Sequence, residues 1–166
     1  MFSRLEVSVG GVEIDLHNAK ASELLAFLAC ERGAVSKAKA ADRLWPDAEP
    51  KRAMDSLYHI LRHIRQLENG AEFIEEQRGA VSLGRRVGTD ADEFVKLYNS
   101  DNPEDWRKAV ELYRNVLLID SVYDWAIDYE SHYDTIYYDV LSRLSAHYES
   151  CGNRVLARYY KDKLNE

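Results

Sequence analysis

Basic, imidazole and amide side chains recur at helical spacing between residues 51 and 66. Arginine can donate two parallel hydrogen bonds to the major-groove edge of guanine, and lysine, histidine and glutamine can bind base edges or phosphate oxygens. At about 100° per residue, these side chains fall on the half of a helix opposite Leu57. The set is Lys51, Arg52, Asp55, His59, Arg62, His63 and Gln66, with Ser56 beside it. The spacing predicts a helix over 51–68 whose outer face can bind nucleic acid.

The other side of this predicted helix is apolar. Its side chains fall within roughly 60° of Leu57 at helical spacing. They are Ala53, Met54, Ile60, Leu61 and Ile64. An ordinary solvated amphipathic helix would share this pattern, so composition alone leaves both interpretations open.

Two arginines of the outer face are the expected readers of sequence. Arg52 and Arg62 can each bind guanine, with about 1–3 kcal/mol of discrimination per bidentate contact. The serine and the two histidines can contact bases or phosphates. Asp55 has two alternatives, because it can accept a hydrogen bond from cytosine or hold Arg52 or His59 in place.

Metal binding and catalysis have little support in the sequence. His59 and His63 stand at i and i+4, a spacing that zinc ligands use, but no third ligand is evident nearby. Gly79, Gly84 and Gly88 do not follow a buried strand into a helix, so they do not form a phosphate loop. A nucleophile elbow is also absent from the sequence. We therefore expect a protein that is not an enzyme and has no cofactor or metal.

The elements that position the outer face begin with a predicted hairpin. Apolar residues alternate over 2–9 and again over 12–16, with Gly10-Gly11 as the turn between them. Ser22 then has the place of an N-cap, and a short helix follows that ends at Gly33.

The next segments predict two helices and a second hairpin. Ser36 caps a helix that Trp45-Pro46 ends, because proline interrupts a helix. After the helix at 51–68, short edge strands at 72–77 and 80–83 flank an Arg78-Gly79 turn. The order of strands, helix, helix, loop, helix and hairpin is that of a winged helix-turn-helix.

Three further arginines belong to this hairpin or to its exit. Arg78 lies in the turn, and Arg85 and Arg86 follow the last strand. They either pair with DNA phosphates, which gives sequence-independent and salt-sensitive affinity, or belong to a solvated turn.

Charge divides the 166-residue chain, which is 46% hydrophobic, 31% charged and has a net charge of −7. Residues 1–90 hold 13 Lys and Arg against 14 Asp and Glu, whereas residues 91–166 hold 9 against 15. Ten of the eleven tyrosines follow residue 90. This asymmetry predicts two domains, 1–90 and 91–166, of which the first is near neutral with a local basic face.

The second half has helical periodicity throughout. The predicted helices are 92–99, 104–119, a long helix that ends at Cys151, and 154–164. The segments 106–113 and 152–160 each place an alanine a few residues into a helix, followed by tyrosine. Small residues allow close helix approach, as in stacked tetratricopeptide-type pairs, and this array looks incomplete.

Two sets of side chains in the second half are assigned to structure rather than to binding. A stripe along the long helix is expected to pack in the core with tyrosine hydroxyls at the rim. It consists of Tyr129, Tyr133, Ile136, Tyr137, Val140, Leu141, Leu144 and Tyr148. An acidic set is expected to form a solvated face. It consists of Asp120, Asp124, Asp128, Glu130, Asp134 and Asp139.

Location follows from what the sequence lacks. It contains no run of 18 apolar residues, so we expect no membrane span. The start, MFSRLEVSV, has no basic region followed by an apolar one, which argues against secretion. Cys30 and Cys151 have no metal-like spacing and are expected to be thiols in a reducing cytoplasm.

These segments together resemble a known family. FSRLEVSVGGVEIDL, residues 20–68 and FIEEQRGAVSLGRRVGTDADEF resemble the winged-helix effector domain of response-regulator-type bacterial transcription factors. Residues 105–166 resemble the bacterial transcriptional activator domain, and the two together are similar to the antibiotic regulatory protein (SARP) type. The chain departs from the family where the usual wing Gly-Tyr reads Gly79-Ala80, and its helical domain ends early.

The resemblance implies a DNA-binding transcriptional regulator. The helix at 51–68 would enter the major groove, and the wing at 77–80 would touch the minor groove or backbone. The loop with Trp45, Asp47 and Glu49 would face RNA polymerase, although Trp45 has a second interpretation as a buried anchor. A homodimer on double-stranded DNA is expected, because one small module makes few base contacts. The alternative is a protein-interaction adaptor that uses the helical domain and has lost DNA binding.

Overall fold

A computed structural model describes Phe2, residues 5–113 and residues 123–165. The chain divides into two compact units. The N-terminal unit is Leu5–Thr89, and the helical unit joins Phe2 to the residues from Asp90 onward. The predicted boundary, between residues 90 and 91, lies next to this division.

The N-terminal unit mixes helices and short antiparallel strands, which confirms the predicted α+β content. Its strands are β1 (Ser8–Val9), β2 (Val12–Glu13), β3 (Val35–Ser36), β4 (Ile74–Gln77) and β5 (Ala80–Leu83). Its helices are α1 (Ala19–Glu31), α2 (Lys37–Leu44) and α3 (Pro50–Gln66), and a 3-10 turn covers Gly70–Glu72.

Helix α1 is the central element of this unit, since nearly all of its residues from Ala21 to Cys30 are buried. The predicted cap at Ser22 is wrong. Asn18 caps the helix instead, and its side chain accepts hydrogen bonds from the backbone N–H groups of Lys20 and Ala21. Helix α1 also ends before Gly33: its last residue is Glu31, and Arg32 after it adopts a left-handed conformation with φ 55°.

Helices α2 and α3 begin at side-chain caps. The predicted cap at Ser36 is confirmed, because its hydroxyl accepts from the Lys39 N–H at 3.1 Å. Helix α3 starts at Pro50, a position where a backbone N–H would have no partner within the helix, so proline is tolerated there. The Glu49 carboxylate caps the helix and accepts from the Arg52 N–H at 3.3 Å. The helix ends at Gln66, two residues before the predicted end.

The apolar stripe of α3 is buried, as its spacing predicts. The buried residues are Ala53, Leu57, Ile60, Leu61 and Ile64, whereas Met54 is half-buried. Helix α3 contacts both α1 and α2 through this side. Each fully buried leucine or isoleucine contributes about 1.5–3 kcal/mol, so the stripe fixes how the helix is rotated about its axis.

The second hairpin is part of a three-stranded sheet of order β3-β5-β4. Its turn is Arg78-Gly79 as predicted, with Gly79 at φ 79°. The sequence analysis did not predict strand β3, which pairs with β5 through Val35 opposite Val81. The prediction of two edge strands is therefore wrong for β5, which has a neighbour on each side.

The first hairpin is shorter than predicted. Strands β1 and β2 have two residues each, with Gly10-Gly11 at positive φ between them. The predicted strand over 2–9 does not include Phe2, which packs in the helical unit. The Phe2 N–H donates to the Asp90 carboxylate at 2.9 Å.

The described part of the helical unit contains four α-helices. They are α4 (Asp90–Tyr98), α5 (Pro103–Leu112), α6 (Ile127–Ser150) and α7 (Arg154–Lys163). Helix α5 ends earlier than the predicted 104–119, because Tyr113 leaves the helical conformation at ψ 72°. Residues 114–119 of that prediction lie outside the described residues.

An aromatic cluster forms the core of this unit. Phe2 contacts Phe94, Tyr113 and Tyr133, with ring centroids 4.7–5.2 Å apart. The predicted stripe of α6 contributes to the core, since Tyr133 is fully buried with Ile136, Val140, Leu141 and Leu144. The other tyrosines of the stripe, Tyr129, Tyr137 and Tyr148, are half-buried.

The predicted acidic face is only partly solvated. Asp124 and Asp128 are exposed, but two carboxylates are partnered. Asp134 accepts a hydrogen bond from the Tyr113 hydroxyl, and Asp139 lies 2.8 Å from the Arg143 guanidinium. Residue 120 of that set is outside the described residues.

The small-residue contact predicted for the last helix is present. Ala157 is buried, and its carbonyl accepts from the Ser145 hydroxyl at 3.1 Å, which brings α7 close to α6. Tyr160 stacks on Tyr148 with ring centroids 5.7 Å apart.

Within the described ranges, no helix is both long enough and apolar enough to cross a membrane. Cys30 is buried in α1 and Cys151 is exposed after α6, each as a thiol.

A glycine at the end of β5 is predicted to be intolerant of a side chain. A β-carbon at Gly84 would lie 1.9 Å from the Glu72 carbonyl oxygen, so the backbone would have to move. We expect Gly84→Ala to lower the free energy of unfolding by about 1–3 kcal/mol in urea denaturation. Gly88→Ala is the control, because its β-carbon would meet nothing within 4 Å. Equal stability of the two variants would contradict this prediction.

The Tyr113 contact predicts a loss of stability in alkali. Burial, and then the hydrogen bond to Asp134, raise the pKa of Tyr113. Tyrosine in the unfolded chain ionises near pH 10. The stability that the neutral Tyr113 side chain contributes to the fold is therefore fully present below about pH 10, and it is lost as the pH rises toward the pKa of the folded state. We expect Tyr113→Phe to cost about 1 kcal/mol at neutral pH and to reduce the alkaline loss.

Urea denaturation across the alkaline range checks this dependence on pH. Tyr138→Phe is the control, since Tyr138 is 46% exposed. An identical alkaline loss in Tyr113→Phe and the wild type would refute the assignment.

Candidate nucleic-acid interface

The polar face of α3 is open to solvent in the N-terminal unit. Six of the eight predicted residues are exposed, and the other two are half-buried. The exposed ones are Lys51, Arg52, Asp55, His59, Arg62 and Gln66, and the half-buried ones are Ser56 and His63. The packing of the aliphatic stripe therefore leaves the predicted binding side chains on one accessible helix face.

Three cations of this face are available to an anion. Lys51, Arg52 and Arg62 form no ion pair with any residue that the structure describes. Asp55 also has no such partner within the described ranges, so it does not hold Arg52 or His59 here, and its acceptance of a hydrogen bond from cytosine stays a prediction. An approaching phosphate or base would therefore not have to displace an internal carboxylate from the three cations.

His63 is held by the backbone rather than by the open face. Its Nε2 lies 2.7 Å from the carbonyl oxygen of Leu16. A carbonyl can only accept, so Nε2 carries the proton and donates it. This contact leaves Nδ1 as the free nitrogen, which in the neutral imidazole accepts a hydrogen bond from a base or binds a metal and contacts a phosphate only in the doubly protonated ring.

The Arg78-Gly79 turn is attached to the start of α2. The carbonyl of Gly79 accepts from the Lys37 N–H at 2.9 Å, and the Arg78 side chain is exposed without an ion-pair partner among the described residues. The Arg78 side chain is therefore in solvent, while the hydrogen bond from Lys37 fixes the backbone of the turn that carries it.

Arg85 and Arg86 do not join Arg78. They follow the far end of β5, about 13 Å from the turn at about 3.3 Å per strand residue. Arg85 lies 3.1 Å from Glu75 and Arg86 lies 3.9 Å from Glu72. Both arginine side chains are more than 80% exposed, and such pairs are weak in water, so both can still reach a phosphate.

Glu76 links the hairpin to α2 and α3, which the sequence analysis missed. Its carboxylate lies 2.5 Å from the Lys37 ammonium and 2.8 Å from the Arg65 guanidinium, although the second contact is not aligned as a hydrogen bond. The Glu76 and Lys37 side chains are only 13% and 12% exposed. A signal was present, because Glu76 shares a strand face with buried Ile74 and a charge there requires a partner.

Tyr58 was also missed. It lies at about 100° from Leu57, at the edge of the predicted polar half, and its side chain is 48% exposed. The Lys37 ammonium lies 5.0 Å from the centre of the Tyr58 ring. The Glu76 contacts and Tyr58 thus adjoin each other between α3 and the hairpin.

The loop before α3 has structural contacts of its own. Trp45 is half-buried, and the Lys20 ammonium lies 5.4 Å from its ring centre and donates to the Leu44 carbonyl at 2.6 Å. These contacts favour the anchor interpretation of Trp45. Asp47 and Glu49 are exposed, and Glu49 also caps α3.

Comparison with protein-family models and with curated proteins finds no match for this chain. Among the residues that the structure describes, no group of three or more His, Cys, Asp or Glu side chains could hold a metal ion.

The mostly buried Glu76 pair is predicted to stabilise the N-terminal unit. We expect Glu76→Gln to lower the free energy of unfolding by about 1.5–3 kcal/mol, because it removes the charge that Lys37 and Arg65 share. Glu75→Gln, one residue earlier, should cost at most about 1 kcal/mol, since its pair with Arg85 is exposed. Thermal and urea denaturation measure the stability of both variants. An equal loss of stability in the two would contradict the prediction that the buried pair contributes more than the exposed one.

Proposed function

We propose that this protein is a sequence-specific DNA-binding transcriptional regulator. The observation that carries the proposal is the exposed face of α3, on which Lys51, Arg52 and Arg62 have no ion-pair partner among the described residues. Opposite charges three or four residues apart on a helix surface stabilise the helix when they pair, and these three cations make no such pair within the described residues of α3. The unpaired cations here, with imidazole and amide groups beside them, match the chemistry of base edges and phosphates.

In this proposal the N-terminal unit acts as a winged helix-turn-helix. Helix α3 lies in the major groove, where Arg52 and Arg62 bind guanine. The Arg78-Gly79 turn acts as the wing on the minor groove or backbone. Arg85 and Arg86, at the other end of the hairpin, contact phosphates at a separate place.

Charge in the N-terminal unit is compatible with this role. Residues 5–89 hold 12 Lys and Arg against 13 Asp and Glu, so the strongly negative charge of the chain comes largely from elsewhere. The local field at the docking face steers association, and that face is basic.

The helical unit has a separate proposed role as a tetratricopeptide-like activator module. A single winged helix covers about 600–1,000 Å² of DNA interface, so a homodimer on half-sites about one helical turn apart is expected. The resemblance to SARP-type regulators supports a cytoplasmic bacterial protein. It also supports contact between RNA polymerase and the loop with Asp47 and Glu49.

A protein-interaction adaptor is the second candidate. Apolar side chains of α7 favour it, since Val155 is 79% exposed and Tyr159, about one helical turn later, is 51% exposed. Exposed apolar groups that lie together mark protein contacts. In an adaptor the α3 face would be an ordinary surface.

A mobility-shift experiment on mixed genomic fragments separates the two candidates. A regulator retains a subset of fragments selectively at about 100 mM salt, where non-specific phosphate binding is weakened. An adaptor retains none. Retention of all fragments alike would contradict sequence-specific recognition.

Arg62→Ala is the predicted loss of a base contact. We expect affinity for the retained fragment to fall by about 1–3 kcal/mol, which is about 5- to 150-fold, and selectivity to fall with it. Arg158→Ala is the control, because Arg158 is an exposed arginine of the helical unit. Binding titrations in which both variants match the wild type would show that α3 is not the recognition helix.

A further inference from the structure

We propose that the Tyr58 hydroxyl donates a hydrogen bond to a DNA phosphate at the edge of the groove, between α3 and the Arg78-Gly79 turn. This inference rests on the proposed function and adds a neutral backbone contact to it. Tyr58 is a large aromatic side chain on a helix surface, where exposure of its apolar ring to water is unfavourable.

The Tyr58 ring is held in place before any ligand arrives. The Lys37 ammonium lies 5.0 Å from the ring centre, within the range of a cation–π contact. Lys37 is itself fixed at both ends, since its ammonium pairs with Glu76 and its N–H donates to Gly79. Groups ordered in advance lose less entropy on binding, so Tyr58 is preorganised as a contact.

The hydroxyl of Tyr58 has no hydrogen-bond partner among the described residues, and the side chain is 48% exposed. Tyrosine is one of the side chains that bind phosphate oxygens in protein–DNA complexes. Other exposed tyrosines exist, but they belong to the acidic helical unit. Tyr58 is the tyrosine of the N-terminal unit.

The charges around Tyr58 favour an anion. Lys37 and Arg65 bring two positive charges against the single carboxylate of Glu76, which leaves a net charge of +1. On α3 itself, Arg62 follows Tyr58 by four residues and Asp55 precedes it by three; both are exposed and their charges offset, so the net charge of +1 remains. A phosphate diester carries the opposite charge and accepts the hydrogen bond that the hydroxyl offers.

The position of Tyr58 distinguishes it from the predicted base readers. It lies at the margin of the polar half of α3, whereas Arg52 and Arg62 lie about 140° from Leu57 and nearer the centre of that half. The Glu76 contacts tie this margin to the hairpin. A phosphate contact at this margin would position the protein on the duplex and would carry no sequence information.

Tyr58→Phe tests the inference, because it removes one hydroxyl and keeps the ring over which Lys37 lies. We expect binding to a retained fragment and to an unrelated fragment to weaken equally, by about three- to tenfold. A neutral hydroxyl releases no counterion, so the dependence of affinity on salt should keep its slope. Tyr138→Phe is the control, since Tyr138 is exposed to a similar extent in the helical unit.

The outcomes separate this inference from the proposed function. If the wild type binds DNA and Arg62→Ala weakens it while Tyr58→Phe does not, the phosphate contact is overturned and the regulator stands. A loss in Tyr58→Phe confined to the retained fragment also overturns it, because the hydroxyl would then read a base. Failure of the wild type to bind any fragment overturns the proposed function itself. Circular dichroism and thermal unfolding establish that each variant is folded.

Discussion

Burial of one aliphatic stripe decides the geometry of the N-terminal unit. Leu57, Leu61 and Ile64 are 0–2% exposed, and they press α3 against α1 and α2. Alanines of α2, such as Ala40 and Ala41, are small enough to let the helices approach. Because the apolar stripe faces the core, the charged residues of α3 must lie on its solvent side. No contact made by these charged residues is needed to place them there. A helix rotated by a quarter turn would bury arginine without a partner, at a cost of several kcal/mol.

Polar contacts then attach the hairpin to this helical frame. Glu76 is shared between Lys37 and Arg65, and the N–H of Lys37 also binds the Gly79 carbonyl. The hairpin has only four residues in each strand, and a two-stranded hairpin of this length has little stability alone. Its third strand and the Glu76 contacts therefore determine where the Arg78-Gly79 turn is held. The same contacts order Tyr58, so stability and the proposed binding edge share one set of side chains.

The helical unit has a core of different chemistry. Aromatic rings replace aliphatic side chains, and Phe2, from the start of the chain, completes the cluster with Phe94 and Tyr133. The Tyr113 hydroxyl is satisfied by Asp134, which explains why part of an acidic set is not solvated. A unit that carries this much negative charge would be repelled by DNA, which fits the proposed assignment of DNA contact to the N-terminal unit and of protein contact to the helical one.

Local patterns in the sequence determined much of this protein, since a cap, a turn or a helical stripe depends on residues a few positions apart. The Ser36 cap, the Arg78-Gly79 turn and the orientation of α3 followed from such patterns. Tertiary structure alone decided the contacts between distant residues: Lys37 with Glu76, His63 with the Leu16 carbonyl, and Phe2 with Asp90, which are 39, 47 and 88 positions apart. The two-residue strand β3 is also of this kind, because it is too short to have a period and exists only through pairing with β5. Such contacts depend on which segments the folded chain brings together, and no local spacing specifies that.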